Sequence, residues 1–122
     1  MNNVNIFAVR GATQLRDNTK EAMNIHVTEL VSKLLLANTI AEDDIISIQF
    51  TQTMDLDTAN PARELRTIGF SSTALFCSLE PEYEDSLNKT VRVLITYRKS
   101  SFEHQPSPVY LHGASVLRPN IK

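Results

Sequence analysis

The chain has 122 residues, 42% of them hydrophobic and 21% charged, which is the size and balance of one globular domain spanning 1–122 and not of a disordered segment. With 12 Lys and Arg against 14 Asp and Glu the net charge is -2, so the cation density that a nucleic-acid binder needs is missing. No apolar run approaches the ~20 residues that span a bilayer, the opening MNNVNIFAVRG lacks the features of a secretory leader, and the lone Cys77 makes no intrachain disulfide, so a cytoplasmic location away from membranes is expected.

In chain order, Val4 to Arg10 has apolar residues on both faces and reads as a covered strand that stops at a Gly11 turn. Arg10 then stands at a strand end, either as a snorkelling cap or as part of a site. Asn18, with Glu21 three residues on, reads as the cap of a helix that ends near Asn38. Met23, Val27, Leu30, Val31 and Leu34 form its apolar stripe, and His26 and Glu29 fall off it, in solvent. Leu34, Leu35 and Leu36 make the last turn broadly apolar, which suits packing on a sheet. Glu42, Asp43 and Asp44 read as a solvated loop.

Ile46, Ile48 and Phe50 alternate with Ser47, Gln49 and Thr51, the mark of a half-buried strand. After a loop, Asn60 caps and Pro61 opens a short helix closed by Gly69, with Arg63 and Arg66 on one face. Those two cations are either plain surface charge or an anion-binding pair. Ser72 to Leu79 reads as a strand. Thr90 to Arg98 alternates Val91, Val93, Ile95 and Tyr97 against Arg92, Leu94, Thr96 and Arg98. A guanidinium in the body of an apolar strand must find anions, so Arg92 marks either a structural salt bridge or a site. Val109 to Leu117 reads as the last strand.

Five strands and two helices in the order β-α-β-α-β-β-β make an α+β fold, a mixed five-stranded sheet with helices on one face. The other face carries enough apolar residues to want a partner copy. The sequence has no phosphate loop, zinc-ligand spacing or nucleophile elbow, so no metal is expected. What recurs is arginine at element ends, and arginine forks suit carboxylates.

The opening VRGATQLRDNT, followed by Asp55-Leu56, Pro61-Ala62-Arg63, Arg66, Gly69-Phe70, Cys77-Ser78-Leu79-Glu80, Val91-Arg92-Val93, Val109-Tyr110-Leu111 and Val116-Leu117-Arg118-Pro119, resembles the monofunctional chorismate mutases of the trimeric AroH class over almost the whole chain. The resemblance implies a homotrimer that forms a pseudo-α/β barrel, with sites in clefts between subunits. It implies a Claisen rearrangement of chorismate to prephenate, in aromatic amino-acid biosynthesis, without cofactor, metal or covalent intermediate. In that reaction the ether C–O bond breaks as a C–C bond forms, and negative charge builds on the ether oxygen.

Carried over by position, the resemblance implies that Arg92 meets the ether oxygen and that Arg10, with Tyr110 beside it, holds a substrate carboxylate. Glu80 accepts the substrate hydroxyl's hydrogen bond, with Cys77 near it. Arg63, Arg66 and Arg118 surround the mouth, Leu75 and Phe76 line the wall, and Leu117 lies near the floor. Asn60 stands where the family has an aromatic and Phe76 where it has a small polar residue, which leaves open a second reading. In that reading the chain is a trimer of the same fold that binds a small carboxylate without catalysis or processes an imine.

Overall fold

The computed structural model describes residues 4–118, so Pro119 and the short tail Asn120 to Lys122 lie outside the described residues. The chain runs β1 (Asn5–Gln14), α1 (Lys20–Asn38), β2 (Ile45–Gln52), α2 (Pro61–Arg66), β3 (Ala74–Leu79), β4 (Thr90–Lys99) and β5 (Val109–Leu111). Short 3-10 helices sit at Glu42–Asp44 and His112–Leu117. The strands form one sheet in the order β3-β2-β4-β1-β5, antiparallel across β4 and parallel at both outer pairs. This is the mixed five-stranded α+β architecture that the sequence implied.

Alternation in β4 divides the sheet into two faces. Val91, Val93, Ile95 and Tyr97 are buried with Val9 of β1 and Ile48 and Phe50 of β2, their neighbours in register. Onto this face α1 sets Met23, Val27, Leu30, Val31 and Leu34, each at most 1% exposed. Burying side chains of this kind stabilises by roughly 1.5–3 kcal/mol apiece. Leu65 and Ala62 of α2 join the same core, so both helices cover one face. The opposite face carries Arg10, Arg92, Leu94, Gln49, Thr51, Phe76 and Tyr110, and neither α1 nor α2 covers it; the 3-10 helix at His112–Leu117 borders it, with Leu117 lining the same space.

Several local expectations need correction. β1 does not stop at Gly11 but continues to Gln14, which puts Arg10 in mid-strand. Gly11 marks the crossing of α1. A Cβ there would stand 2.8 Å from Leu34 Cδ1 and 2.9 Å from the Val109 carbonyl oxygen. The cap of α1 is Thr19, whose hydroxyl accepts from the Ala22 N–H. Asn18 instead ties down the loop between β2 and α2, donating to Asp57 and accepting from the Thr58 hydroxyl. Leu36 points into solvent at 82% exposure, so the last turn packs by Leu34 alone among fully buried leucines. β2 carries an irregularity between Ile45 and Ser47, which buries Ile45 in place of Ile46.

The final strand is also shorter than expected. β5 pairs with β1 only over Val109–Leu111, and His112, with φ of 55°, turns the chain into a 3-10 helix through Leu117. Among the described residues, no helix is long and apolar enough to cross a membrane.

Candidate functional site

On the open face, Arg92 stands opposite Thr51 of β2 on one side and Ala12 of β1 on the other. Arg10 lies diagonal to it, opposite Leu94. Tyr110 comes from β5, opposite Ala12. Residues paired in this way project from the same side of a sheet, so three strands aim Arg10, Arg92 and Tyr110 into one space. That space is an open cavity of about 380 Å³, lined also by Gln49, Thr51, Glu80 and Leu117. Ligand sites for small molecules commonly fall in the range of ~300–1,000 Å³.

Glu80 follows β3 directly, and its N–H donates to the Gln52 carbonyl at 2.8 Å. This bond swings the carboxylate over the end of β2, where Oε1 lies 2.9 Å from Arg92 Nε. The Thr51 hydroxyl donates to the same oxygen at 3.0 Å. Arg92 is therefore held through Nε, and its terminal nitrogens remain to meet a ligand. The pair sits half in solvent, with side-chain exposures of 47% for Arg92 and 18% for Glu80. Among the described residues no carboxylate lies within ion-pair reach of Arg10. The cavity thus carries more cation than anion, which suits an anionic ligand.

Five of the other expected residues lie elsewhere. Arg63 and Arg66 of α2, with Leu75, Phe76 and Cys77 of β3, line a second recess, of about 390 Å³, together with Asn60 and Ala62. Asn60 accepts from the backbone N–H groups of Ala62 and Arg63, and Pro61 at the first helical position fixes the turn. This geometry sends both arginines outward. The Cys77 thiol donates to Gln52 Oε1 at 3.0 Å, and burial pushes its pKa up. The same Gln52 donates to the Leu56 and Ala59 carbonyls and so fixes the loop that delivers α2.

One chain therefore brings Arg10, Glu80, Arg92, Tyr110 and Leu117 together and leaves Arg63, Arg66, Leu75, Phe76 and Cys77 in a separate recess at the β3 edge of the sheet. Arg118 is exposed after the 3-10 helix and lines neither recess. Sequence reasoning passed over Thr51 and Gln49. Their signal was the polar half of the β2 alternation, which gains meaning only once Arg92 is known to lie beside it.

A family model described as chorismate mutase type I matches residues 6–121. The chain is 33% identical over 118 residues to the chorismate mutase AroH of Thermus thermophilus, covering 96% of this chain and 97% of that one. It is 28% identical over 117 residues to the AroH of Bacillus subtilis strain 168, covering 95% and 92%. Among solved structures, a chorismate mutase from Clostridium thermocellum superposes with a TM-score of 0.85 at 41% identity, over 90% of this chain and 98% of that one.

Proposed function

The chain belongs to the type I chorismate mutase family and is an isomerase, and on that premise we propose that it rearranges chorismate to prephenate in the open-face cavity, completed by a neighbouring copy. The observation that carries this reading is the Arg92–Glu80 pair, fixed at 2.9 Å in a cavity shared with Arg10 and Tyr110. The reaction needs no proton donor and no nucleophile. It needs a dicarboxylate held in its compact conformer, and a fixed positive donor where the ether oxygen gains charge.

Arg10, with Tyr110 beside it, takes a substrate carboxylate. Glu80 accepts from the substrate hydroxyl while it holds Arg92 through Nε. Arg92 directs a terminal N–H at the ether oxygen. Because that interaction strengthens as the C–O bond breaks, it raises turnover more than it tightens substrate binding. Thr51, through its bond to Glu80, keeps the donor in place before substrate arrives.

Arg63, Arg66, Leu75, Phe76 and Cys77 supply the opposite wall from the adjacent subunit of a homotrimer. Support for a shared site comes from the separation of the two residue sets on one chain and from the uncovered sheet face, where Ile6 and Phe76 are 66% and 65% exposed. Phe76 and Asn60 shape that wall, and Arg118 steers the dianion at the mouth.

Following the loss of chorismate absorbance with purified enzyme tests the activity, and light scattering tests the assembly. The expected results are catalytic turnover and a mass of three chains. No consumption of chorismate at micromolar enzyme would overturn the reaction, and an active monomer would overturn the shared site.

A further inference from the structure

Outside the open-face cavity, three donor side chains converge from two distant parts of the sequence. His26 and Glu29 lie one turn apart on α1, and His112 begins the 3-10 helix after β5. His112 Nε2 lies 2.9 Å from Glu29 Oε1, and His26 Nδ1 lies 3.9 Å from the same oxygen. The two imidazoles meet edge to face with centroids 4.8 Å apart. One donor atom from each of the three residues can be chosen so that all lie within 4.8 Å of one another.

His26 does not stand in solvent as its position off the apolar stripe suggested. Its Nδ1 is buried and has no hydrogen-bond partner. An unpaired buried nitrogen is costly, and here it faces a carboxylate and a second imidazole. We propose that His26, Glu29 and His112 form a site for a divalent late first-row metal ion of the zinc type, with water as the fourth ligand.

Two imidazoles and a carboxylate are a sufficient protein donor set for such an ion when one position stays open to water. Tetrahedral coordination with Zn–N bonds of ~2.0–2.1 Å places donor atoms about 3.3 Å apart. The separations of 2.9 and 3.9 Å bracket that spacing. His112, with 46% side-chain exposure, has room to turn and close the remaining gap. A recess of about 500 Å³ bordered by Gln14, Leu15, Arg16, His26, His112 and Gly113 leaves space for the water.

Glu29 is already oriented for one-oxygen ligation. Lys33 Nζ lies 3.6 Å from Oε2, which leaves Oε1 toward the two histidines. Arg16 and Lys33 are nearby cations that oppose a second positive charge, so the expected affinity is in the micromolar range and below that of four-ligand structural sites. A bound ion adds a second tie between α1 and the segment that carries Tyr110 and Leu117, which Asn38 already joins at its start by hydrogen bonds to the Ser107 backbone. No ligand spacing along the sequence marks this cluster, because His112 lies 83 positions from Glu29 and reaches it only in the folded chain.

The test uses the full chain without a histidine tag, stripped by chelator and titrated with zinc chloride by calorimetry and with cobalt chloride by visible absorption. The expected result is saturation at one ion per chain, with a cobalt spectrum free of thiolate bands. His26→Gln and His112→Asn each weaken binding by at least ~100-fold, since even altered outer-shell partners cost ~10–100-fold. Zinc raises the melting temperature of the unaltered chain and not that of either variant. Absence of saturable binding below millimolar zinc overturns the proposal, and so does full-affinity binding in a folded variant of either histidine. If one variant fails to fold, the other, together with Glu29→Gln, gives the same decision.

Discussion

Replacing Arg92 by glutamine removes the charge and keeps a hydrogen-bonding chain, so it separates electrostatics from shape. With a guanidinium N–H ~3 Å from the ether oxygen and an effective dielectric of ~20, a full negative charge would gain about 5.5 kcal/mol. Roughly half a charge develops there, so the expected loss is about 2.8 kcal/mol, or ~100-fold in turnover, rising toward ~1,000-fold with the lost charge-assisted bond. The cost in stability is far smaller. The side chain is 47% exposed, and a solvent-screened pair with Glu80 contributes at most ~1 kcal/mol, a few degrees in melting temperature. The assay is steady-state chorismate consumption beside a thermal melt on the same sample. A folded Arg92→Gln enzyme that keeps turnover within ~10-fold of the unaltered chain would refute the role given to the charge.

Three further outcomes are expected. Refolding an Arg92→Gln chain with an Arg63→Ala/Arg66→Ala chain in equal amounts should restore about a quarter of the sites of a shared-site trimer, because random mixing pairs two intact halves that often. Activity no higher than the sum of the separate variants would show that both residue sets act within one chain. Gly11→Ala should destabilise by ~1–3 kcal/mol in denaturant melts, because its Cβ would stand 2.9 Å from the Val109 carbonyl oxygen as well as 2.8 Å from Leu34 Cδ1; an unchanged midpoint would refute that crowding. The Cys77 thiol, pushed up by burial, should alkylate more slowly than a free cysteine at pH 8 and gain speed at higher pH as thiolate forms. Equal rates at pH 8 would contradict the burial.

The sequence disclosed the parts of the fold that repeat with a period. β4 alternates from Val91 to Arg98, and the α1 stripe from Met23 to Leu34 is the buried one. Ends and crossings were harder to read, because they depend on neighbours. Nothing local says that Gly11 lies under Leu30 and Leu34 and is not in a turn. Asn18 and Thr19 are both good caps, and the choice is made by Asp57 and Thr58, about 40 positions away. Val109 to Leu117 looks strand-like because β5 continues into apolar residues, but β1 offers it partners only at Gly11, Ala12 and Thr13.

The candidate site was legible by a different route. Arg92 attracted notice on physical grounds, as a charge inside an apolar strand. Its grouping with Arg10, Glu80 and Tyr110 came from family resemblance, since four separate segments have to meet. The sheet supplies the missing rule. Its helix-covered face is closed by leucine and valine and carries stability, while its open face holds the guanidinia and little of the core. β3 belongs to both, with Phe76 on the open side and Leu75 and Cys77 turned toward the helices. A strand at the sheet edge with one face half-covered and the other exposed is suited to meet a second copy, and Glu80 leaves its end toward Arg92 while Arg63 and Arg66 flank its side. The same short segment thus anchors the donor of one cavity and lines the recess that, in the shared-site reading, becomes the wall of the next.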